Sequence, residues 1–267
     1  VTTTITLPGV ELLPEYQEVV VKPRARDYLI DGARYQRVST MLGIINKPAL
    51  VPWAKRTTLA RVEEILRDPK VKAGLTQIFA ETLETGDLSD YDEWVDLVMD
   101  SGAKAADEAR DEAADKGHNA HAQIAQRLNG EPEPEDGWAP QVGQALRFLS
   151  EWGLVVDQTE MTVWSPELEV AGTCDAIGHR IEGTRVIWDW KTGSGPWWEM
   201  ALQLGAYAEM FRGLTGQAVT RAWIVKLLED HYQVYPVLDL PAAWDAFKTA
   251  TGLKRYSAVR WFPKDPF

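Results

Sequence analysis

Two aspartates and a lysine stand in the stretch "GTCDAIGHRIEGTRVIWDWKTGSG", Gly172 to Gly195, among residues that otherwise read as buried strands. Ionised side chains are costly to bury without a partner, so Asp175, Asp189 and Lys191 need a reason to be there. Strand side chains alternate between faces. In "RVIWDWK", Ile187, Asp189 and Lys191 therefore share one face and Trp188 and Trp190 the other, and in "GTCDAI" Thr173, Asp175 and Ile177 share a face. Two acids beside an amine have two readings. One is a cross-strand salt bridge on a solvated sheet face. The other is a hard-cation site, because Mg²⁺ and Mn²⁺ take carboxylate oxygens and retain waters. The lysine would then orient a water or offset charge growing on a phosphate.

The turn between the strands decides whether the acids can meet. In an antiparallel hairpin, opposed residues share a face and have a constant index sum. Asp175 and Asp189 are both odd-numbered, so they share a face only if that sum is even. A two-residue Glu182-Gly183 turn separates them. A three-residue loop, Glu182-Gly183-Thr184, sets Asp175 opposite Lys191 and Ile177 opposite Asp189. Clustering thus demands an odd loop or a compensating bulge.

The elements around this hairpin follow from periodicity. "DYLIDGARYQRV" reads as a tight hairpin about Asp31-Gly32, and Ser39 as a helix N-cap. "LVPWAKRTTLARVEEILRD" has helical spacing at Leu59, Val62, Ile65 and Leu66, and an acidic helix is expected from about Val98 to Leu128 with a break near Gly117. "NGEPEPEDG" is a loop, followed by a helix over about Pro140–Trp152. Three strand-like runs come next, "EMTVWS", "EVAGTCDAIGHRI" and "TRVIWDWK". The helix "WWEMALQLGAYAEMFRGL", the strands "AVTRAWIVKLL" and "HYQVYPVL", and a closing helix started by Pro241 complete the order. This is an α+β or mixed α/β layout on one sheet. We divide it into an N-terminal hairpin with a basic helical extension, 1–95, and a core, 96–267.

Composition narrows the classes. The single cysteine, Cys174, excludes an intramolecular disulfide and an all-cysteine cage for zinc or iron–sulfur. "VTTTITLPGV" lacks a signal-peptide pattern and no apolar run is long enough for a membrane span, so a cytoplasmic location without membrane partners is the expectation. The net charge of −12 argues against a nonspecific nucleic-acid coat, but the charge is uneven. Between Lys22 and Lys72, twelve basic residues face five acids, whereas 81–115 is acidic apart from Lys104 and Arg110. Such a basic stretch suits a polyanion.

Read in order, the motifs resemble those of the PD-(D/E)XK nuclease superfamily, and most of all its RecB-like exonuclease branch of phage and CRISPR-associated type. The matching residues are Gly117 and His121 in "GHNAH", Glu160 in "TEMTVW", Asp175 in "AGTCD", the Asp189-Trp190-Lys191 triplet, and Gln203 with Tyr207 in "QLGAY". The resemblance implies a restriction-endonuclease-like core, a central mixed sheet flanked by helices. It implies a metal-dependent DNA exonuclease active in phage DNA recombination, repair or processing, acting on linear DNA ends. A recombinase or single-strand-annealing protein is the implied partner. His121, Asp175, Asp189 and the Trp190 carbonyl would hold Mg²⁺ or Mn²⁺, and Lys191 would serve the attacking water. Gln203 and Tyr207, at i and i+4 on one helix face, would steady the DNA strand, and Glu160 would support the site. The iron–sulfur cluster of some relatives is not expected here. His118 competes with His121, and His179 and His231 carry no motif. Trp53, Trp197 and Trp198 are either base-stacking platforms or core, and Lys254, Arg255 and Arg260 are candidate phosphate contacts.

Overall fold

The structure is a computed structural model and describes residues 3–4, 10–45, 50–193 and 195–259. Lys47 and Arg260 lie outside the described residues. The chain divides into two compact units, Val1–Ile45 with Gly117–Phe267, and Asn46–Lys116. Among the described residues nine strands occur in chain order: β1 (Thr3–Thr4), β2 (Val20–Pro23), β3 (Asp27–Ile30), β4 (Ala33–Arg37), β5 (Leu154–Ser165), β6 (Val170–Arg180), β7 (Arg185–Lys191), β8 (Arg221–Leu227) and β9 (Tyr232–Pro236). The helices are α1 (Val38–Leu42), α2 (Leu50–Arg67), α3 (Pro69–Thr85), α4 (Ser89–Leu128), α5 (Pro140–Glu151), α6 (Trp198–Thr215) and α7 (Leu240–Ser257).

The first unit is a mixed sheet with helices on both faces. The strand order is β1-β2-β3-β4-β6-β7-β8-β9, and β5 pairs with β6 as well. On one face, Ile177, Ile187 and Ile224 pack with Leu204 and Phe211 of α6 and Phe247 of α7. On the other, Trp188, Trp190 and Trp223 pack with Ile124 of α4 and Val142 and Phe148 of α5. Phe148 meets Trp190 edge-on at 5.7 Å and Trp223 at 6.1 Å, an arrangement that adds to the burial of these rings. The alternation read from "RVIWDWK" is the alternation observed. The hairpin grouped by sequence with residues 1–95 hydrogen-bonds into this sheet, since β4 runs parallel to β6.

One topological detail creates the site. β5 occupies the whole of one edge of β6, from Val170 to Arg180. The other edge is shared: β4 pairs with Val170 and Ala171, and β7 with Ala176 to His179. Between them β6 has no strand partner on that edge among the described residues, and Asp175 lies there. The β6–β7 register, Ile177 with Ile187 and Gly178 with Val186, has an even index sum. The loop is odd, as clustering demanded, but it is Ile181-Glu182-Gly183 rather than Glu182-Gly183-Thr184. The Arg180 N–H donates to Thr184 O at 2.9 Å and closes it one step earlier. Ile177 is therefore opposite Ile187, not Asp189, and extending the same register brings Asp175 level with Asp189 instead of Lys191.

Three other expectations change. α4 runs unbroken through Gly117. A Cβ at that position would stand 3.2 Å from Thr192 Oγ1, so glycine there serves a close approach to the end of β7 rather than a break. Ser39 lies inside α1, whose cap residue is Arg37 without a side-chain bond. β5 begins at Leu154, six residues before "EMTVWS". A register shift between Val156 and Gln158 and a positive φ of 50° at Glu160 interrupt its two-residue period and hide its first half.

In the second unit, α3 starts on Asp68, whose side chain accepts from Lys70 N at 2.7 Å, and ends at Gly86 with φ 72°. A Cβ on Gly102 of α4 would come within 2.9 Å of Val62 Cγ2, so glycine permits the close approach of α2 and α4.

Gly178 allows a stability prediction. A Cβ there would lie 2.1 Å from Val155 O, a backbone atom at the β5 irregularity, and 3.1 Å from Trp188 Cη2. Gly178→Ala is expected to cost about 1–3 kcal/mol or more, a fall of roughly 3–10 °C in Tm. Thermal unfolding checks it, and an unchanged Tm would remove the packing argument.

Candidate active site

At the fork in β6 the polar residues converge. The Trp190 N–H, which an unbroken ladder would pair with β6 backbone, donates instead to Asp175 Oδ2 at 2.8 Å. The same oxygen lies 3.3 Å from His121 Nδ1 on α4. Asp189, only 2% exposed, is paired through Oδ2 with the Lys191 ammonium. α6 closes the group: Gln203 Nε2 donates to the Tyr207 hydroxyl at 3.0 Å and lies 3.5 Å from Asp189 Oδ1. Tyr207 is seated against the backbone at Gly172, where a Cβ would be 2.5 Å from Cε1 of the ring. Glu160 on β5 falls between the Thr159–Ala176 and Met161–Cys174 pairs, level with Asp175.

His118 is exposed on α4, while His121, one turn on, faces Asp175. His179 Nδ1 meets Asp157 Oδ1 at 2.9 Å, and Arg185 meets the same carboxylate at 2.6 Å. His231 pairs with neighbouring Asp230. Neither joins the group at the fork. Trp53 is half-buried on α2; Trp197 and Trp198 are exposed. Sequence reasoning missed the contact between the Tyr28 and Thr173 hydroxyls, at 2.9 Å, which ties the hairpin to the strand carrying Asp175. It also missed the need for Gly172, although a glycine inside a strand, three residues before a half-buried acid, is a signal of close approach.

The electrostatics are those of too much negative charge in too little water. Desolvation, then the Asp175 charge, push Asp189 up to about 6 in spite of Lys191. Desolvation opposes the ionised form of Asp175 as well, but the His121 hydrogen bond and charge outweigh it and hold Asp175 below its ordinary value. On His121, burial works downward and the bond to Asp175 prevails, so the imidazole is raised. Lys191 is likewise raised, because Asp189 and Asp175 overcome its desolvation. Glu160 keeps solvent contact, yet partial desolvation and Asp175 bring it to about 7. Burial pushes the Cys174 thiol far upward, which keeps it neutral and unreactive.

A model of the PD-(D/E)XK nuclease superfamily matches residues 63–262. The chain belongs to the PD-(D/E)XK nuclease superfamily. Its mixed sheet with helices on both faces is the fold of that family. No curated protein matches the sequence. Among solved structures, SSO0001 is similar at 16% identity over 42% of this chain and 56% of its own, with a TM-score of 0.28. A Eubacterium rectale protein with a provisional exonuclease name is similar at 11% identity over 55% of this chain and 76% of its own, with a TM-score of 0.35. The chain therefore spans little more than half the length of the first. No helix among the described residues is long and apolar enough to cross a membrane.

Nucleases of this superfamily generally use divalent ions. Among the described residues, no three His, Cys, Asp or Glu side chains already stand at metal-ligand spacing. The carboxylates are engaged by His121, the Trp190 N–H and Lys191. The donor set nevertheless fits a hard cation: two carboxylates and an imidazole at one fork, with Asp189 raised by desolvation and by the Asp175 charge beside it.

Proposed function

We propose that this protein is a divalent-metal-dependent DNA exonuclease. The observation that carries the reading is the meeting of Asp175, Asp189, Lys191 and His121 at the gap between β4 and β7. His121, Asp175, Asp189 and the Trp190 carbonyl would hold Mg²⁺ or Mn²⁺, which supplies Lewis-acid stabilisation of the phosphate under attack. Lys191, kept as an ammonium by its two acidic neighbours, donates hydrogen bonds to a phosphate oxygen or to the incoming water and offsets charge there. It is not the proton acceptor, since raising its pKa removes the free amine. Gln203 and Tyr207 position Asp189 from α6. Glu160 adds a third acidic group on the β5 side.

Lys22 on β2, Arg34 and Arg37 on β4, and Lys254 and Arg255 on α7 are the candidate phosphate contacts for the rest of the strand. A role at DNA ends in phage recombination or repair, beside a strand-annealing recombinase, is supported by the sequence resemblance alone.

The test is digestion of end-labelled linear DNA and a covalently closed circle with Mg²⁺, Mn²⁺ or EDTA. The linear strand should disappear only with metal, and the circle should survive. A cut circle would replace the exonuclease reading with an endonuclease on the same fold. No digestion of either would leave a DNA-binding fold without activity.

A further inference from the structure

β8 carries a second lysine on the face of the candidate site. β7 and β8 are parallel and in register, Asp189 with Ile224 and Lys191 with Lys226. The two lysines are thus neighbours on strands roughly 4.8 Å apart. Lys191 is committed to Asp189, whereas the Lys226 ammonium has no ion pair or hydrogen bond among the described residues. On β9 the row continues with Gln233 opposite Lys226 and Tyr235 opposite Ile224. The Tyr235 hydroxyl donates to Gln233 Oε1 at 2.6 Å.

Next to this row a cavity of about 550 Å³ opens, walled by Trp197, Trp198, Leu202, Ile224, Tyr235 and Val237 among others. Leu202 precedes Gln203, and Ile224 is the register partner of Asp189, so the cavity adjoins the candidate active site. Trp198 is 60% exposed and Trp197 40%, an unusual cost in water for two large rings. The one carboxylate in the wall, Asp239, is turned to cap α7, where it accepts from Ala242 N at 2.9 Å.

We propose that this face is a nucleotide subsite adjoining the scissile phosphate, with a base against Trp198 in the cavity and its phosphate on Lys226. The inference rests on the nuclease reading and names part of its substrate site. A flat heteroaromatic ring suits an apolar slot with indoles at its mouth, and base–aromatic stacking accepts any sequence. The unpaired ammonium beside Lys191 selects an anionic strand over an apolar protein segment, because a scissile strand must cross this face.

The experiment measures kcat/KM with Mn²⁺ and with Mg²⁺ on an end-labelled 20-nucleotide strand, free and annealed to its complement, with a single abasic position moved along it. Wild-type protein should lose about fivefold or more at one position next to the cut. Trp198→Ala should lower the rate on the intact strand and be indifferent to that gap, and Trp198→Phe should restore sensitivity. Lys226→Met should raise KM more than it lowers kcat and reduce the salt slope by about 0.7, one single-strand phosphate. Both side chains reach solvent, so these variants should fold, and circular dichroism checks this. Cleavage with a flat abasic scan in wild type, or with the same scan in Trp198→Ala, overturns the subsite and spares the nuclease reading. No cleavage of any strand by wild type overturns both.

Discussion

Asp189→Asn is expected to reduce DNA cleavage by at least about 100-fold while raising, not lowering, the Tm of the metal-free protein. The first half follows from removing a charged group beside the reacting phosphate. The second follows from linkage. The Asp189 carboxyl titrates at about 6 in the folded chain against an ordinary value of 3.8. Between these values the folded state binds more protons than the unfolded one, so stability falls as pH rises from about 4 through 6 and stays lower above. Asparagine reproduces the protonated form at every pH. In EDTA at pH 7 the variant should therefore melt a few degrees above wild type, with the gap closing toward pH 4. Lys191 keeps Asp175 as a nearby counter-charge in the variant. A purely structural ion pair predicts the reverse, because breaking a buried pair costs about 3–5 kcal/mol. Melting several degrees below wild type in EDTA would favour the salt-bridge reading, and retained cleavage would remove Asp189 from the machinery.

What the sequence revealed and what it hid have physical causes. The face carrying Asp189 and Lys191 was legible because a strand period of two sorts "IWDWK" into two tryptophans and two charges. The even register was a checkable demand, but its frame was not, since Ile181 belongs to the loop only by virtue of the Arg180–Thr184 hydrogen bond. The gap between β4 and β7 joins residues more than a hundred positions apart, and no local pattern encodes it. The left-handed backbone at Glu160 and the shift at Val156/Gln158 broke the period that revealed the other strands. Lys226 in "AWIVKLL" shows the very anomaly that drew attention to Lys191, an amine inside an apolar strand, and went unnoticed for want of a neighbouring acid.

The second large effect separates the metal ligands from the lysine. An ion that binds only the folded state stabilises it by about 2.7 kcal/mol at 100 times its Kd, which for a chain of this size is roughly 5–10 °C in Tm. Mn²⁺ should raise the melting temperature of wild type by that order, and Asp175→Asn and Asp189→Asn should show almost none of it. Because imidazole and carboxylates bind metal only when deprotonated, the shift should shrink as pH falls from 8 toward 5. Lys191→Met makes the opposite demand. It removes the cation that now sits on Asp189 and leaves that buried carboxylate without its ion pair, so its Mn²⁺ shift should equal or exceed that of wild type. Its cleavage should nonetheless fall by about 100-fold or more, since the charge offered to the phosphate is gone. Loss of the shift in Lys191→Met, or its survival in Asp175→Asn and Asp189→Asn, would mean that the ion is held elsewhere on the chain. The Asp189 charge, held against Asp175 where β6 and β7 part, would then cost the fold stability with no return in chemistry.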